Sequence, residues 1–374
     1  MEYRRLGRTA LQVSKIALGT MNFGPRTDER DSFALLDAAL DAGVNFIDTA
    51  NQYGGQLGVG ATELLLGRWL AQDKTRRDRI VLATKVHEPM SDDINDRGLS
   101  ARHIRMACEG SLRRLGVDHI DLYQMHHIDR AAADDEILQA MDVLIAQGKI
   151  TYLGSSNFPG WKIAQVNERA AAGQRLGIVS EQSLYNLVER RVELEVLPAC
   201  RAYGLGLIAW SPLAGGVLAG SSGTSAGRRT SPAVAARMAE RADQLARFSA
   251  LGKALGQSCA VVALAWLLHQ SGLAAAIVGP ADRAQLDDAL QAANVALDAP
   301  TLVALDAIFP PCGPAPEAYA WSPAGRVARS RPGRGRWRGM VAAAMCANWC
   351  LPTDWAMPGR AGPGWPGPCP ADGA

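Results

Sequence analysis

The chain of 374 residues offers no run of the roughly 20 consecutive apolar residues that a membrane-spanning helix needs. Met1 to Thr20 carries Arg4, Arg5, Arg8 and Lys15 and lacks the uninterrupted apolar core of a secretory leader. A cytoplasmic protein with no membrane partner is therefore expected. Cysteine is sparse: Cys108, Cys200, Cys259, Cys312, Cys346, Cys350 and Cys369 are odd in number and lack metal-ligand spacing. That pattern fits a reducing compartment better than a secreted disulfide framework, no metal is expected, and the thiols are read as core or surface groups. Also missing is a G-x-G-x-x-G turn, since the nearest approach, Gly58-Val59-Gly60, has no third glycine. That absence argues against a doubly wound nucleotide-binding sheet.

Charge of one sign is scarce as well. The whole chain carries +2, and from Ser322 onward seven arginines stand against Asp354 and Asp372, so the rest of the chain sums to −3. A mildly acidic body has no nucleic-acid footprint. The arginine run from Arg326 to Arg338 has no helical or strand period and is broken by Pro332, Gly333 and Gly335, as in a solvated, disordered extension.

What is present is an alternation of short β-type runs and longer amphipathic segments, with 48% hydrophobic and 20% charged residues. Strands are expected at Ile16–Thr20, Asn45–Thr49, Ile80–Lys85, Ile120–Gln124, Ile150–Ser155, Ile178–Gln182, Gly206–Trp210 and Ala276–Gly279. Helices are expected at Asp31–Ala42, Thr62–Ala71, Ser100–Leu115, Asp135–Gln147, Lys162–Ala172, Val192–Ala202 and Ser249–Gln270. Ser100 reads as an N-cap, Gly116 as a C-cap, and Glu109 to Arg113 as an i,i+4 ion pair. Eight strands each followed by a helix predict an α/β fold of one domain, a (β/α)8 TIM barrel, over residues 1–321. Residues 322–374 form a tail rich in Arg, Pro, Gly and Trp. Trp69, Trp161 and Trp266 fall on helices and are read as packing residues.

A barrel enzyme builds its site at the C-terminal ends of its strands. Asp48 closes one expected strand and Tyr53 follows in its loop, Lys85 ends another, and His126 follows Leu122-Tyr123-Gln124-Met125. Singly, each has a plain structural explanation: a solvated lysine, a surface tyrosine, a histidine bonded to backbone. Jointly they describe a proton donor, because a phenol of pKa ~10 protonates a substrate at neutral pH only where a nearby cation stabilises the phenolate. Lys85 would supply that field, Asp48 would hold Lys85 charged, and a neutral His126 would direct the substrate oxygen. None of the four is a hydride donor, so a bound nicotinamide or flavin is required.

The chain resembles the aldo-keto reductases over about Met1 to Trp321. The first signature is seen in Gly43-Val44-Asn45-Phe46-Ile47-Asp48-Thr49-Ala50 with Tyr53-Gly54, the histidine signature in Leu122-Tyr123-Gln124-Met125-His126, and the nicotinamide-carboxamide loop in Gly154-Ser155-Ser156-Asn157. The resemblance implies a catalytic tetrad of Asp48, Tyr53, Lys85 and His126, with Tyr53 as general acid. It implies further that Ser156, Asn157 and Gln182 bind the carboxamide, that Trp210 stacks on the nicotinamide, and that Ser211, Leu213 and Gly216 approach the pyrophosphate. The adenosine would lie between Gly279 and Asp288, near Gln285. The cofactor implied is NADPH, with NADH as the alternative: Ala289 stands where the family often has an asparagine, and Arg283 is the one cation nearby.

Asn95 to Ile104, Gly116 to Arg130 and Pro314 to Trp321 are similar to actinobacterial members of deoxysugar pathways. That similarity implies a nucleotide-linked keto-deoxyhexose or its 2,3-enoyl form as substrate in antibiotic sugar biosynthesis, with a general aldehyde or ketone reductase as the alternative. The same barrel also serves nicotinamide-sensing subunits of potassium channels. Such a subunit would want a docking surface and an N-terminal inactivation segment, whereas the barrel here begins almost at once. The loops Asn22 to Arg30, His87 to Gly98 and Gly215 to Arg237 are expected to shape the pocket. The oligomeric state is left open. After Trp321 the composition is that of out-of-frame translation of a GC-rich gene or of an unusual extension, and it is expected to contribute little to the fold.

Overall fold

A computed structural model describes residues 1–220 and 232–313; the expected tail and part of the loop from Gly215 to Arg237 lie outside the described residues. The chain opens with a two-stranded antiparallel hairpin, β1 (Tyr3–Arg5) and β2 (Gln12–Ser14), which the sequence reading did not contain. Next come β3 (Ile16–Gly19), α1 (Glu29–Asp41), β4 (Phe46–Asp48), α2 (Ala61–Gln72), the single turn α3 (Thr75–Asp78) and β5 (Val81–Val86). They are followed by α4 (Ala101–Leu115), β6 (Ile120–Met125), α5 (Asp134–Ala146), β7 (Ile150–Ser156), α6 (Gly160–Ala172) and β8 (Ile178–Leu184). The remainder is α7 (Val196–Tyr203), β9 (Gly206–Trp210), α8 (Pro232–Ala239), α9 (Ala242–Ala254), α10 (Cys259–Leu268), β10 (Leu273–Val278), α11 (Arg283–Ala292) and α12 (Ala299–Ile308).

Strands β3 to β10 pair in parallel in sequence order, and β10 returns to β3 through Ala276 opposite Ile16, closing an eight-stranded barrel. All eight expected strands are present. They are buried on both faces because helices cover the outside and side chains fill the inside, which explains their near-continuous Val, Ile, Leu and Ala. The interior cluster joins Ala17, Phe46, Val81, Ala83, Leu122, Val179 and Ile208 to Leu6 and Val13 of the hairpin, which plugs the N-terminal mouth. The plug needs Gly7: its φ is 57°, and a Cβ there would stand 2.4 Å from the Val179 carbonyl oxygen and 2.6 Å from that of Gly204. A larger cluster lies between strands and helices and contains Trp69 and Trp266. Trp161, by contrast, is 51% exposed and lies beside Arg130 and Lys162, so the packing role expected for it is corrected.

Short polar side chains start the helices. Asp28, Ser100, Ser258, Asp282 and Asp298 each accept from the backbone N–H three residues on, at about 1 kcal/mol per cap. Gly116 ends α4 in the left-handed region, as expected. Two expectations are corrected. Glu109 pairs across the surface with Lys149 of the α5–β7 turn rather than with Arg113. The single helix expected from Ser249 to Gln270 is two helices, α9 and α10, at 89° to one another. Gly256 at φ 65° and the Ser258 cap make the corner, and every residue of α10 after Cys259 is buried. Among the described residues no single helix is long and apolar enough to cross a membrane.

Candidate active site

The strand register brings the polar side chains to the C-terminal end of the barrel. Asp48 lies opposite Ala83, Lys85 opposite Gln124, and Ser156 opposite Gln182. Residues two apart on a strand share a face, so Gln124 precedes His126 on the inward side. The Lys85 ammonium, with no exposed surface, donates to Asp48 Oδ2 at 2.6 Å, to the Thr49 carbonyl at 2.9 Å and to Tyr53 Oη at 3.4 Å. Burial pulls the lysine pKa down, but Asp48 and Tyr53 outweigh it and hold the group above its ordinary value. Lys85 is therefore a buried, permanent cation behind the phenol, as the proton-donor argument requires.

Asp48 is held from three sides. Its Oδ1 accepts from Gln124 Nε2 at 3.0 Å and from Gln182 Nε2 at 2.9 Å, while Oδ2 takes the lysine. Gln124 is the residue that sequence reasoning missed. It was inside a quoted motif, and its place on the inward face two residues before His126 was the available signal. The His126 ring lies edge-on to Tyr53 with centroids 6.0 Å apart. Burial, with the Lys85 charge adding to it, drives its pKa down to about 2, so the imidazole is neutral. Its Nδ1 is buried without a hydrogen-bond partner among the described residues. Glu88, His126 and His127 bring donor atoms within 4.8 Å of one another, but the two imidazoles stack at 8°, so their in-plane lone pairs do not converge on one ion.

Tyr53, Asp48 and His126 line a cleft of about 470 Å³ that runs past Trp210 and Ser211–Gly216 to Gly279–Ala289, the size range of a bound small molecule. Of the loops expected to shape it, Asn22–Arg30 and the start of Gly215–Arg237 contribute lining residues, whereas His87–Gly98 contributes none among the described residues. Ser156, Asn157, Gln182, Trp210, Ser211, Leu213, Gly216, Gly279 and Gln285 all line it. Asn157, in the left-handed region at φ 59°, accepts from Trp210 Nε1 at 3.0 Å and donates to the His126 carbonyl at 3.2 Å, which fixes the indole edge of a residue that lines the cleft. Ser156 Oγ donates to the Gln182 carbonyl at 2.8 Å. Gln182 Nε2 is taken by Asp48 and by Gln124 Oε1, while its own Oε1 accepts nothing from the described residues. An amide acceptor beside a hydroxyl and an aromatic face suits a planar carboxamide ring, so the donor set fits a nicotinamide.

Arg283 departs from expectation. At the first turn of α11 its side chain is 68% exposed, pairs with Asp287 at 2.8 Å and does not line the cleft, whereas Asp288 does. A cation that the sequence reading passed over, Arg26, lines the cleft and makes no ion pair among the described residues.

A closed parallel barrel with an Asp-Tyr-Lys-His cluster at its C-terminal end, beside a cleft suited to a nicotinamide, defines a reductase of the barrel class. The aldo/keto reductase family model matches residues 15–309, and the chain belongs to that family. The chain is 50% identical over 335 residues to the uncharacterized oxidoreductase YrpG of Bacillus subtilis (strain 168), covering 86% of this chain and 100% of the relative. It is 35% identical to a probable voltage-gated potassium channel subunit beta of Oryza sativa subsp. japonica (79% and 92% covered). To the versiconal hemiacetal acetate reductase of Aspergillus parasiticus it is 32% identical (79% and 94% covered). The protein is an NAD(P)H-dependent reductase that acts on a small-molecule carbonyl.

Proposed function

We propose that Tyr53 protonates the substrate oxygen, with Lys85 stabilising the phenolate left behind, Asp48 holding Lys85 in place and neutral His126 orienting the oxygen. The observation that carries this reading is the Lys85 ammonium, buried between Asp48 Oδ2 at 2.6 Å and Tyr53 Oη at 3.4 Å. A reduced nicotinamide supplies the hydride when bound. Trp210 would lie against its ring, with Ser156, Asn157 and Gln182 at its carboxamide; Ser211, Leu213 and Gly216 would take the pyrophosphate, and Gly279 and Gln285 the adenosine. NADPH is proposed as the cofactor on the family resemblance. Because Arg283 turns to Asp287 and Asp288 lines the adenosine end, where a 2′-phosphate wants a guanidinium or lysine, NADH is the alternative.

The proposed substrate is a nucleotide-linked keto-deoxyhexose or its enoyl form, in the making of an antibiotic sugar. The similarity of Asn95–Ile104 and Gly116–Arg130 to deoxysugar enzymes supports it, and the guanidinium of Arg26, which lines the cleft and makes no ion pair among the described residues, would suit a diphosphate. A general carbonyl reductase is the second reading, favoured by the relative whose name gives versiconal hemiacetal acetate as its substrate. The test is oxidation of NADPH and NADH with simple aldehydes and with nucleotide-linked 4-keto-deoxyhexoses, beside Tyr53→Phe. Turnover of the sugar nucleotide that Tyr53→Phe abolishes supports the first reading, and turnover of aldehydes alone supports the second. Tight cofactor binding with no turnover of either would overturn both in favour of a nicotinamide-sensing subunit.

A further inference from the structure

Glu181 is an acid inside the barrel wall that the chemistry above leaves unused. It has no exposed surface, and it alternates with Gln182, pointing away from the cleft toward the helices. Its Oε1 accepts from Ser183 Oγ at 2.7 Å and from the Phe158 backbone N–H at 3.0 Å, and its Oε2 accepts from Ser155 Oγ. Ser155 and Phe158 bracket Ser156 and Asn157, and the next residue, Gln182, receives both the Ser156 hydroxyl and the Asn157 N–H on its carbonyl. One carboxyl group thus ties both ends of the two-residue turn proposed to hold the carboxamide.

We propose that Glu181 is a proton-sensitive positioning residue that sets the grip of the Ser156–Asn157 turn on the nicotinamide. The inference rests on the proposed assignment of that turn. In the ionised form the Ser155, Ser183 and Phe158 donors point at the carboxylate. On proton uptake Oε2 becomes a donor and the Ser155 hydroxyl must turn away. The Ser180 carbonyl, 3.4 Å from Ser155 Oγ, is the acceptor waiting for it. Protonation therefore replaces the charge-assisted bond at the root of the turn by neutral ones, Oε2–H donating to Ser155 Oγ and the hydroxyl making its long bond to the Ser180 carbonyl.

The surroundings place the change near neutrality. Burial raises the Glu181 pKa, and the Ser155, Ser183, Phe158 and Asn157 bonds only partly offset it, leaving about 7. From β9 the register partner is apolar Leu207, from β7 the neighbour is Ser155, and from α7 it is the buried Cys200 thiol, whose pKa is itself pushed up by burial and by Glu181. Among the described residues no lysine or arginine meets the carboxylate.

The test is the dissociation constant of NADH and of NADPH, read from nicotinamide fluorescence between pH 6 and 8.5 with the full chain. Both cofactors are used because a 2′-phosphate, like other phosphate monoesters, has its own pKa near ~6. We expect affinity for both to fall about three- to tenfold as pH drops through 7, the effect of weakening one charge-assisted hydrogen bond. Glu181→Gln should hold the weaker value at every pH, and Ser155→Ala, which removes a bond to the carboxylate, should move the inflection to higher pH. Pre-steady-state hydride transfer at saturating cofactor should change less than affinity in both variants. An inflection unaltered in both variants, or pH-independent binding of both cofactors by the unmodified chain, overturns the role of Glu181 and leaves the reductase site standing. Failure of both NADH and NADPH to bind overturns the turn assignment along with it.

Discussion

At the residue scale, Tyr53→Phe removes one hydroxyl and leaves the cation beside it. Loss of a positioned general acid costs on the order of 10² to 10⁴ in turnover, while cofactor affinity measured by fluorescence should stay within about twofold. A larger loss of affinity would show that the phenol holds the cofactor rather than the proton. Asp48→Asn strips the counter-charge from an ammonium with no exposed surface. Breaking a buried pair from one side costs about 3–5 kcal/mol, so urea unfolding should show Asp48→Asn to be the less stable of the two variants. The stability effect of Glu181 follows from the direction of its shift. A folded-state pKa of about 7 against an ordinary 4.5 means that the folded chain favours the neutral acid. Its contribution is complete below pH 4.5 and is lost as pH rises through 7, by about 3 kcal/mol in total. Glu181→Gln should therefore gain stability relative to the parent at pH 8 compared with pH 5, and equal differences at the two pH values would contradict this. The tetrad candidates were legible because each stands at or just beyond a strand end. Gln124 was not, since its bond to Asp48 joins β6 to β4, and its place two residues before His126 shows only that it faces inward, not what it binds. Arg283 misled for a similar reason: sequence placed it beside the adenosine end, but the first turn of α11 directs its side chain to Asp287.

At the element scale, the eight barrel strands were legible because burial on both faces leaves short unbroken apolar runs bounded by polar turns. The hairpin was not, because strands of three residues present too few alternations to register as a period. Its importance is tertiary: Leu6 and Val13 are buried in the floor of the barrel. Gly7→Ala would drive a methyl group against the Val179 and Gly204 carbonyls. It should cost more than about 2 kcal/mol in chemical denaturation, whereas alanine at Gly148, whose Cβ would meet nothing within 4 Å, should cost less. The break between α9 and α10 was hidden by composition. An apolar stretch on either side of Gly256-Gln257-Ser258 reads as one helix until the cap at Ser258 is weighed above the run.

At the scale of the whole molecule, the described fold ends with α12 and Phe309, whose buried ring packs on Phe248 and whose carbonyl is held by Arg190 at 2.8 Å. A chain ending at Trp321 is accordingly expected to unfold within ~1 kcal/mol of the full-length protein and to bind NAD(P)H equally well. A loss above about 2 kcal/mol would show that the segment beyond packs on the barrel. The closure of the sheet bears on how the protein is made. Ile16 pairs with Ala276, a partner 260 residues later in the chain. At roughly 5–20 residues per second of synthesis, the first barrel strand leaves the ribosome and stands with one edge open for on the order of ten to fifty seconds. A nascent chain of this kind exposes a parallel-sheet edge for the whole of that interval. Its yield in the cell should therefore depend on chaperone occupancy and growth temperature more than its final stability would indicate.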